Sequence, residues 1–128
     1  MNNLLFIYGT LLNEHNEFAV YLKNNSSFCS PAKLQGKLYD AGEYPGAILS
    51  YEKDSYVYGN ILEINNPAKV LPVIDAYEGF GEHQPQPNEF VRVLTEVETD
   101  AGPVTCWGYL YNLPVSGLKL IEEGRYIK

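Results

Sequence analysis

The sequence predicts an α+β fold in which many short strands form a closed or strongly curled sheet, accompanied by two short helices. Apolar alternation bounded by turn residues indicates strands near residues 4–8, 34–39, 55–64, 90–98 and 104–112. In the strands near residues 55–64 and 104–112, large rings alternate with small or aliphatic residues, which is expected when both faces of a strand are covered. The glycines inside them, Gly59 and Gly108, indicate bends or bulges rather than chemistry.

Two segments have helical patterns. Residues 13–24 carry apolar side chains after a polar start and predict a short first helix. In the second, Asn66 is placed to cap, Pro67 suits the first turn, apolar residues recur every three to four positions, and Gly79 stops the helix. Pro72 interrupts this pattern, so it either kinks the helix or marks its true first turn.

Length and composition indicate a single domain over residues 1–128. The chain has 128 residues, 45% of them hydrophobic and 20% charged, which is typical of a globular domain. No apolar run approaches the length that spans a bilayer. The first residues lack the basic start and the cleavage site of a signal peptide, so we expect a soluble, cytoplasmic protein.

Charge and cysteine usage exclude several classes of function. A net charge of −7 without a Lys/Arg cluster disfavours binding to nucleic acid or to anionic membranes. The two cysteines, Cys29 and Cys106, and the two histidines, His15 and His83, are too scattered for a zinc site or a nucleophile–histidine pair. We expect no metal, free and mostly buried thiols, and histidines at the surface.

The segment Tyr8-Gly9-Thr10-Leu11 follows the first apolar strand directly. The chain must turn there, and Gly9 allows a close backbone approach to a ligand while consecutive amides are exposed. Such a loop can hold an anion or a developing oxyanion. Glycine and threonine after a strand are also what an ordinary turn uses, so the alternative is a turn that binds no ligand.

Glu78 is the candidate catalytic carboxylate. If the helix ends at Gly79, Glu78 lies at the negative end of the helix dipole and one turn from Asp75, and both disfavour its ionised form. A carboxylate whose pKa is raised toward neutrality is suited to accept and return a proton. The alternative is a solvated acid in an acidic protein. For Asp75 we expect instead a cap or an ion pair with a cation such as Arg92.

Six segments, in their order along the chain, together resemble the gamma-glutamylcyclotransferase-like family. They are residues 6–11 (FIYGTL), 36–46 (GKLYDAGEYPG), 57–64 (VYGNILEI), 74–79 (IDAYEG), 90–92 (FVR) and 107–111 (WGYLY). The resemblance covers nearly the whole chain and implies a small β-barrel of mixed strands flanked by short helices. It also implies a cavity closed by the tyrosine-glycine loop, with a glutamate at its rim.

The chemistry that the resemblance implies is intramolecular. The α-amine of a γ-glutamyl group attacks its own γ-carbonyl, closing 5-oxoproline and expelling the amine or amino acid that was attached. No cofactor or metal is expected, and the partner is a small γ-glutamyl substrate. Glu78 would be the proton acceptor, and Tyr8, Gly9, Thr10 and Leu11 would bind the substrate.

The chain departs from the family's pattern at two places. Phe90 stands where the family usually has a tyrosine before Val91-Arg92, so one pocket hydroxyl is missing and the choice of substrate is open. The ending Gly124-Arg125-Tyr126 replaces an acidic-tryptophan ending. Besides the enzyme, two alternatives remain: a non-catalytic module of this fold that binds a small ligand or a protein, and a purely structural domain. The carboxylate at position 78 favours the enzyme over both.

Overall fold

The computed structural model describes residues 2–12 and 16–126. These residues form seven strands and two α-helices, with a short 3-10 helix after the first strand. Their bounds are β1 Leu4–Ile7, the 3-10 helix Thr10–Leu12, α1 Glu17–Asn24, β2 Ser26–Asp40, β3 Pro45–Leu49, β4 Tyr56–Ile64, α2 Pro67–Glu78, β5 Phe90–Thr99, β6 Gly102–Tyr111 and β7 Lys119–Ile121.

Five strands close into a barrel in the order β2-β4-β1-β6-β5, and β5 meets β2 again at the pair Lys33–Glu98. The neighbours β1 and β6 run parallel, whereas the other paired strands run antiparallel, so the sheet is mixed. The strands β3 and β7 both pair with the last part of β2, outside this ring. The prediction of a small mixed barrel flanked by short helices is confirmed.

The core has two parts, and β1 contributes to both because its side chains alternate between the two faces of the sheet. Phe6 packs inside the barrel with Leu34, Val57, Ile61, Val97 and Cys106. Leu5 and Ile7 face the helices and pack against Leu22, Val70 and Ile74. Leu5 and Phe6 are 0% and 1% exposed, which explains why this strand is apolar at every position.

Close packing between β1 and β4 requires glycine at position 59. A Cβ added there would lie 2.1 Å from the carbonyl oxygen of Ile7, which is main chain and cannot rotate away. Gly59 therefore serves the approach of two neighbouring strands, consistent with the structural role expected for it.

The second helix begins and ends near the predicted residues, although its start is built differently. Pro67 lies in its first turn, and Gly79 adopts a left-handed conformation (φ 75°) beyond its last residue. There the amide of Phe80 donates to the carbonyl of Asp75 (2.9 Å), which closes the helix end. Asn66 precedes the helix in a left-handed conformation and its side chain makes no capping hydrogen bond, so the predicted side-chain cap is wrong. Pro72 lies inside the helix, so it does not mark the first turn.

The first helix begins at Glu17, and the predicted start at residue 13 lies outside the described residues, as does His15. The side chain of Asn16 caps it by accepting hydrogen bonds from the amides of Phe18 (2.8 Å) and Ala19 (3.2 Å). The longer of the two α-helices spans only residues 67–78, and no helix in the described ranges is long and apolar enough to cross a membrane.

The structure also tests the sequence expectations for strand bounds, for the two thiols and for His83. Strand β2 begins at Ser26 rather than near residue 34, and β3 and β7 were not predicted. Both thiols are free, but only Cys106 is buried. Cys29 lies in the exposed early part of β2, so the expectation of buried thiols holds for one of the two. The side chain of His83 is 93% exposed, as expected for a loop histidine.

Candidate active site

A single cavity brings the predicted loop and the predicted acid together. Its volume is about 200 Å³, which suits a ligand of amino-acid size rather than a larger molecule. Residues 8–11 form one part of the wall, and Glu78 with Gly79 forms another. The remaining lining residues are Phe6, Ile7, Tyr44, Pro45, Tyr77, Glu89, Phe90 and Tyr109.

The loop is positioned by the end of β1 at Ile7 and by the 3-10 helix that follows. The amide of Leu12 donates to the carbonyl of Gly9 (2.9 Å), closing the first turn. The amides of Thr10 and Leu11 precede that turn, so the helix offers them no acceptor. They can therefore serve an anion or an oxyanion in the cavity.

The side chain of Tyr8 anchors the loop rather than serving as an acid or base. Its hydroxyl donates to the carbonyl of Tyr109 (2.5 Å) and accepts from the amide of Ala47 (3.2 Å). Burial, with a smaller effect from the charge of Glu78, raises the pKa of Tyr8 far above its ordinary value. The phenol thus stays neutral, and its hydroxyl is fully engaged with backbone groups.

Tyr77 links the loop to the helix that carries Glu78. Its hydroxyl shares a hydrogen bond with Thr10 Oγ1 (2.7 Å) and accepts another from Asn16 Nδ2 (2.6 Å). Its ring packs on Phe18, with ring centroids 4.5 Å apart. In the sequence, Tyr77 falls in the apolar pattern of the second helix, with Val70, Leu71 and Ile74. A tyrosine directly before the candidate acid was the available signal that a hydroxyl reaches the cavity.

Glu78 is the last residue of α2, and its partly buried side chain lines the cavity. Burial raises the pKa of Glu78 to about 8, and the charges of Glu89 and Asp75 act in the same direction. Among the residues that the structure describes, none donates a hydrogen bond to this carboxyl group to stabilise its ionised form. The predicted direction of the shift is confirmed, but its largest cause is burial, and the contribution of Glu89 was not foreseen.

Asp75 forms the ion pair that the sequence predicted. Its carboxylate accepts two hydrogen bonds from Arg92, from Nε (2.7 Å) and Nη2 (3.1 Å), and a third from the hydroxyl of Tyr109 (2.6 Å). The guanidinium also lies over the ring of Trp107, 4.3 Å from its centroid. These contacts attach the last turn of α2 to β5 and β6, and Glu78 follows Asp75 by less than one helical turn.

Glu89 is the second acid of the cavity and was missed by sequence reasoning. It precedes β5, and its carboxylate accepts a hydrogen bond from the hydroxyl of Tyr44. No motif marked it, because a glutamate before a strand is ordinary in an acidic protein. Its neighbour Phe90 is buried between two rings, Tyr44 at 5.9 Å and Tyr111 at 5.4 Å, so the cavity is apolar where the family's usual tyrosine would stand.

Fold and site together define a small mixed barrel with a cavity that is lined by the loop of residues 8–11 and by Glu78, a carboxyl group with a raised pKa. Comparison with known proteins gives the family. The model of the family described as gamma-glutamyl cyclotransferase, AIG2-like, matches residues 5–128, and the chain belongs to that family. The gamma-glutamylcyclotransferase family protein YtfP of Escherichia coli K12 is 32% identical over 130 aligned positions, which cover 96% of this chain and 95% of that protein.

Solved structures agree with this assignment. The solution structure of YtfP from Escherichia coli superposes with a TM-score of 0.60 at 28% identity, covering 98% of this chain and 96% of that one. The crystal structure of YkqA from Bacillus subtilis gives a TM-score of 0.71 at 27% identity, and the match spans 40% of that longer chain. An AIG2-like protein of mouse gives 0.73 at 20% identity over 98% of this chain and 88% of its own, which shows the shared fold alone.

Proposed function

We propose that this protein cyclises the γ-glutamyl group of a γ-glutamyl amine or γ-glutamyl amino acid to 5-oxoproline and releases the attached amine. The observation that carries the proposal is the position of Glu78, whose pKa is raised to about 8, in the same small cavity as the amides of residues 8–11. Membership of the gamma-glutamyl cyclotransferase family supports this class of reaction.

In the proposed reaction every step is a proton transfer or an exchange of one carbon–nitrogen bond. The ionised Glu78 takes a proton from the substrate's α-ammonium, and the resulting amine attacks the γ-carbonyl carbon. A new carbon–nitrogen bond closes the five-membered ring, and the bond to the departing nitrogen breaks. In all, the attacking nitrogen loses two protons and the leaving nitrogen gains two. Glu78 carries each of them, and no other reactant is consumed.

The raised pKa suits this two-way role. A carboxyl group that titrates near neutrality exists in both forms at physiological pH and can accept a proton and return it. An ordinary exposed glutamate is ionised at that pH and is a weak proton donor to the leaving amine. The substrate's own α-ammonium favours the ionised form of Glu78 when it binds, so the base is generated at the moment of attack.

The loop supplies binding and charge stabilisation in this proposal. The amides of residues 8–11 hold the α-carboxylate or the oxyanion that develops on the γ-carbonyl oxygen. Holding the carboxylate on one side and the α-amine beside Glu78 folds the glutamyl chain toward ring closure. This is a proximity effect, since nucleophile and carbonyl belong to one molecule.

The test is to incubate the purified protein with a panel of γ-glutamyl amines and γ-glutamyl amino acids and to measure 5-oxoproline by chromatography. We expect turnover of at least one compound by the wild type and a rate lowered by about 10²–10⁴-fold in the Glu78→Gln variant. A matched control is Glu82→Gln, which changes a side chain that is 88% exposed and outside the cavity. Tight binding without any 5-oxoproline would refute the enzyme and favour a binding module of the same fold.

A further inference from the structure

The hydroxyl groups of the cavity wall differ in whether their protons are already taken by protein acceptors. The wall residues that carry a hydroxyl are Tyr8, Thr10, Tyr44, Tyr77 and Tyr109. Three of these phenols donate to the protein: Tyr8 to a backbone carbonyl, Tyr44 to Glu89 and Tyr109 to Asp75. Tyr77 and Thr10 bond to each other (2.7 Å), so the direction of that bond decides which of the two protons is left for a ligand.

Asn16 sets the direction of this bond. Its Oδ1 accepts from the amides of Phe18 and Ala19 at the start of α1, so Nδ2 is the atom that faces Tyr77. That Nδ2 donates to the Tyr77 hydroxyl (2.6 Å) and occupies a lone pair of the phenol oxygen. A phenol that already accepts one hydrogen bond is a better donor than acceptor toward an aliphatic hydroxyl, because its oxygen is conjugated to the ring. These contacts favour Tyr77 as donor and Thr10 as acceptor, which leaves the proton of Thr10 Oγ1 for another partner.

An anion in this cavity depends on neutral donors. Among the described residues of the wall there is no lysine, arginine or histidine. The α-carboxylate of a γ-glutamyl group is thus bound there by amides and hydroxyls, and a hydrogen bond to a charged group is stronger than one between neutral groups. Thr10 lies within the loop whose amides the proposed function assigns to this anion, so its hydroxyl can serve as a further donor.

We propose that Tyr77 is a positioning residue for substrate binding: held by Asn16, it donates to Thr10 and thereby directs the Thr10 hydroxyl proton to the substrate's α-carboxylate. This role rests on the proposed function and adds two residues outside the loop to it. The donors follow one another from Asn16 through Tyr77 and Thr10 to the ligand, and hydrogen bonds that share one direction strengthen each other. The start of α1 thus contributes to anion binding, although Asn16 is not part of the cavity wall.

The first test removes single hydroxyl groups. Tyr77→Phe keeps the ring on Phe18, and Thr10→Val keeps the shape of the side chain. We expect Thr10→Val to raise KM for a γ-glutamyl substrate and the inhibition constant of 5-oxoproline by about 10–100-fold, and Tyr77→Phe to raise both by about 3–10-fold. The change in kcat should be much smaller, because the carboxylate is bound equally in the substrate and in the transition state. Thr10→Ser should restore binding, and Tyr51→Phe, at a side chain that is 88% exposed, should change nothing.

The direction of the hydrogen bonds is tested by Asn16→Asp. An aspartate caps α1 as well as an asparagine does, but its carboxylate accepts from Tyr77 instead of donating to it. Tyr77 then accepts from Thr10, and the Thr10 proton is no longer available to the ligand. We expect the same loss of 5-oxoproline binding as in Tyr77→Phe, with little change in the unfolding free energy. Repulsion by the added charge would persist when Asn16→Asp is combined with Tyr77→Phe, so a loss of equal size in that background overturns the inference.

Other outcomes also decide the matter. If Tyr77 acts through Thr10, Tyr77→Phe has no further effect in the Thr10→Val background, and additive losses overturn the inference. A lower kcat with unchanged KM and unchanged 5-oxoproline binding would assign the Thr10 hydroxyl to the oxyanion and overturns it too. If no γ-glutamyl compound is turned over, the proposed reaction is wrong, and calorimetric binding of 5-oxoproline to the wild type and the variants then tests the inference by itself, with no binding to the wild type counting against it. Tyr77→Phe and Asn16→Asp carry the test even if Thr10→Val does not fold.

Discussion

Replacing Glu78 by glutamine removes one titrating group from the cavity and keeps its volume. Glu78 has a folded-state pKa of about 8 against an ordinary value of 4.5, so the folded state binds its proton more tightly than the unfolded state. Ionisation therefore opposes folding, and this loss of stability grows as the pH rises from 4.5 to about 8 and is constant above it.

The size of this effect follows from the shift. One pKa unit corresponds to about 1.4 kcal/mol, so the full shift of Glu78 sets an upper limit of about 5 kcal/mol. The side chain keeps part of its surface in solvent, which screens the charge and lowers the limit. Between pH 5 and pH 9, we expect the unfolding free energy of Glu78→Gln relative to wild type to rise by about 2–4 kcal/mol.

The assay is urea unfolding of both proteins at several pH values, followed by circular dichroism. Subtracting the wild-type free energy from that of the variant at each pH removes most contributions from other titrating groups. A difference that stays constant from pH 5 to pH 9 would show that the pKa of Glu78 is not raised, and the argument for a near-neutral acid would fail.

The same variant tests the proposed chemistry. Loss of a general base typically lowers the rate by about 10²–10⁴-fold, and we expect a loss of this size in 5-oxoproline formation. In the wild type, kcat/KM should rise with pH, reach half its plateau near pH 8 and level off above it, since the free protein must lose the proton of Glu78 before it can accept another. A folded Glu78→Gln with undiminished turnover would refute the assignment.

Two further substitutions test how the site is held. Asp75→Asn leaves the partly buried Arg92 without its anionic partner and should lower the unfolding free energy by about 2–4 kcal/mol. It should also shift the pH profile of activity to lower pH, because one of the charges that raise the pKa of Glu78 is gone. A folded variant without any turnover would instead assign the base to Asp75. Gly59→Ala places a Cβ against the carbonyl of Ile7 and should cost about 3 kcal/mol or more in urea unfolding, whereas Gly108→Ala, whose Cβ meets only a methyl group of Thr95 at 3.3 Å, should cost clearly less.

Sequence reasoning predicted the parts of the fold that depend on local patterns. Alternation located β1, β4, β5 and β6, because their side chains are buried on one or both faces and the apolar period is visible. It missed the start of β2 at Ser26, since Phe28 and Cys29 there are exposed and give no alternating burial. The three-residue β7, which pairs with the end of β2, is too short for a pattern.

The sequence predicted the site residues that can be recognised from their immediate neighbours in the chain. Gly79 predicted the end of the helix. Glu78, the residue before it, was a candidate because the helix dipole disfavours an ionised acid at a helix C-terminus. Glu89 and Tyr44 carry no such signal, and they meet only because the chain between β2 and β3 reaches the residue before β5, 45 positions later. Burial of Glu78, the largest cause of its raised pKa, is likewise a property of the assembled cavity and of no segment alone.

The polar contacts at the end of α2 fall on Asp75 and not on Glu78 among the residues that the structure describes. Asp75 accepts three hydrogen bonds, from Arg92 and Tyr109, and these fix the last turn of α2 against the barrel. The same bonds on Glu78 would stabilise its carboxylate and return its pKa to an ordinary value, since hydrogen bonds to the charged form favour that form. A rigid position and a raised pKa are thus incompatible demands on one carboxylate in this cavity. They are met here by two acids on the same helix: Asp75 supplies the anchorage, and Glu78 has the raised pKa.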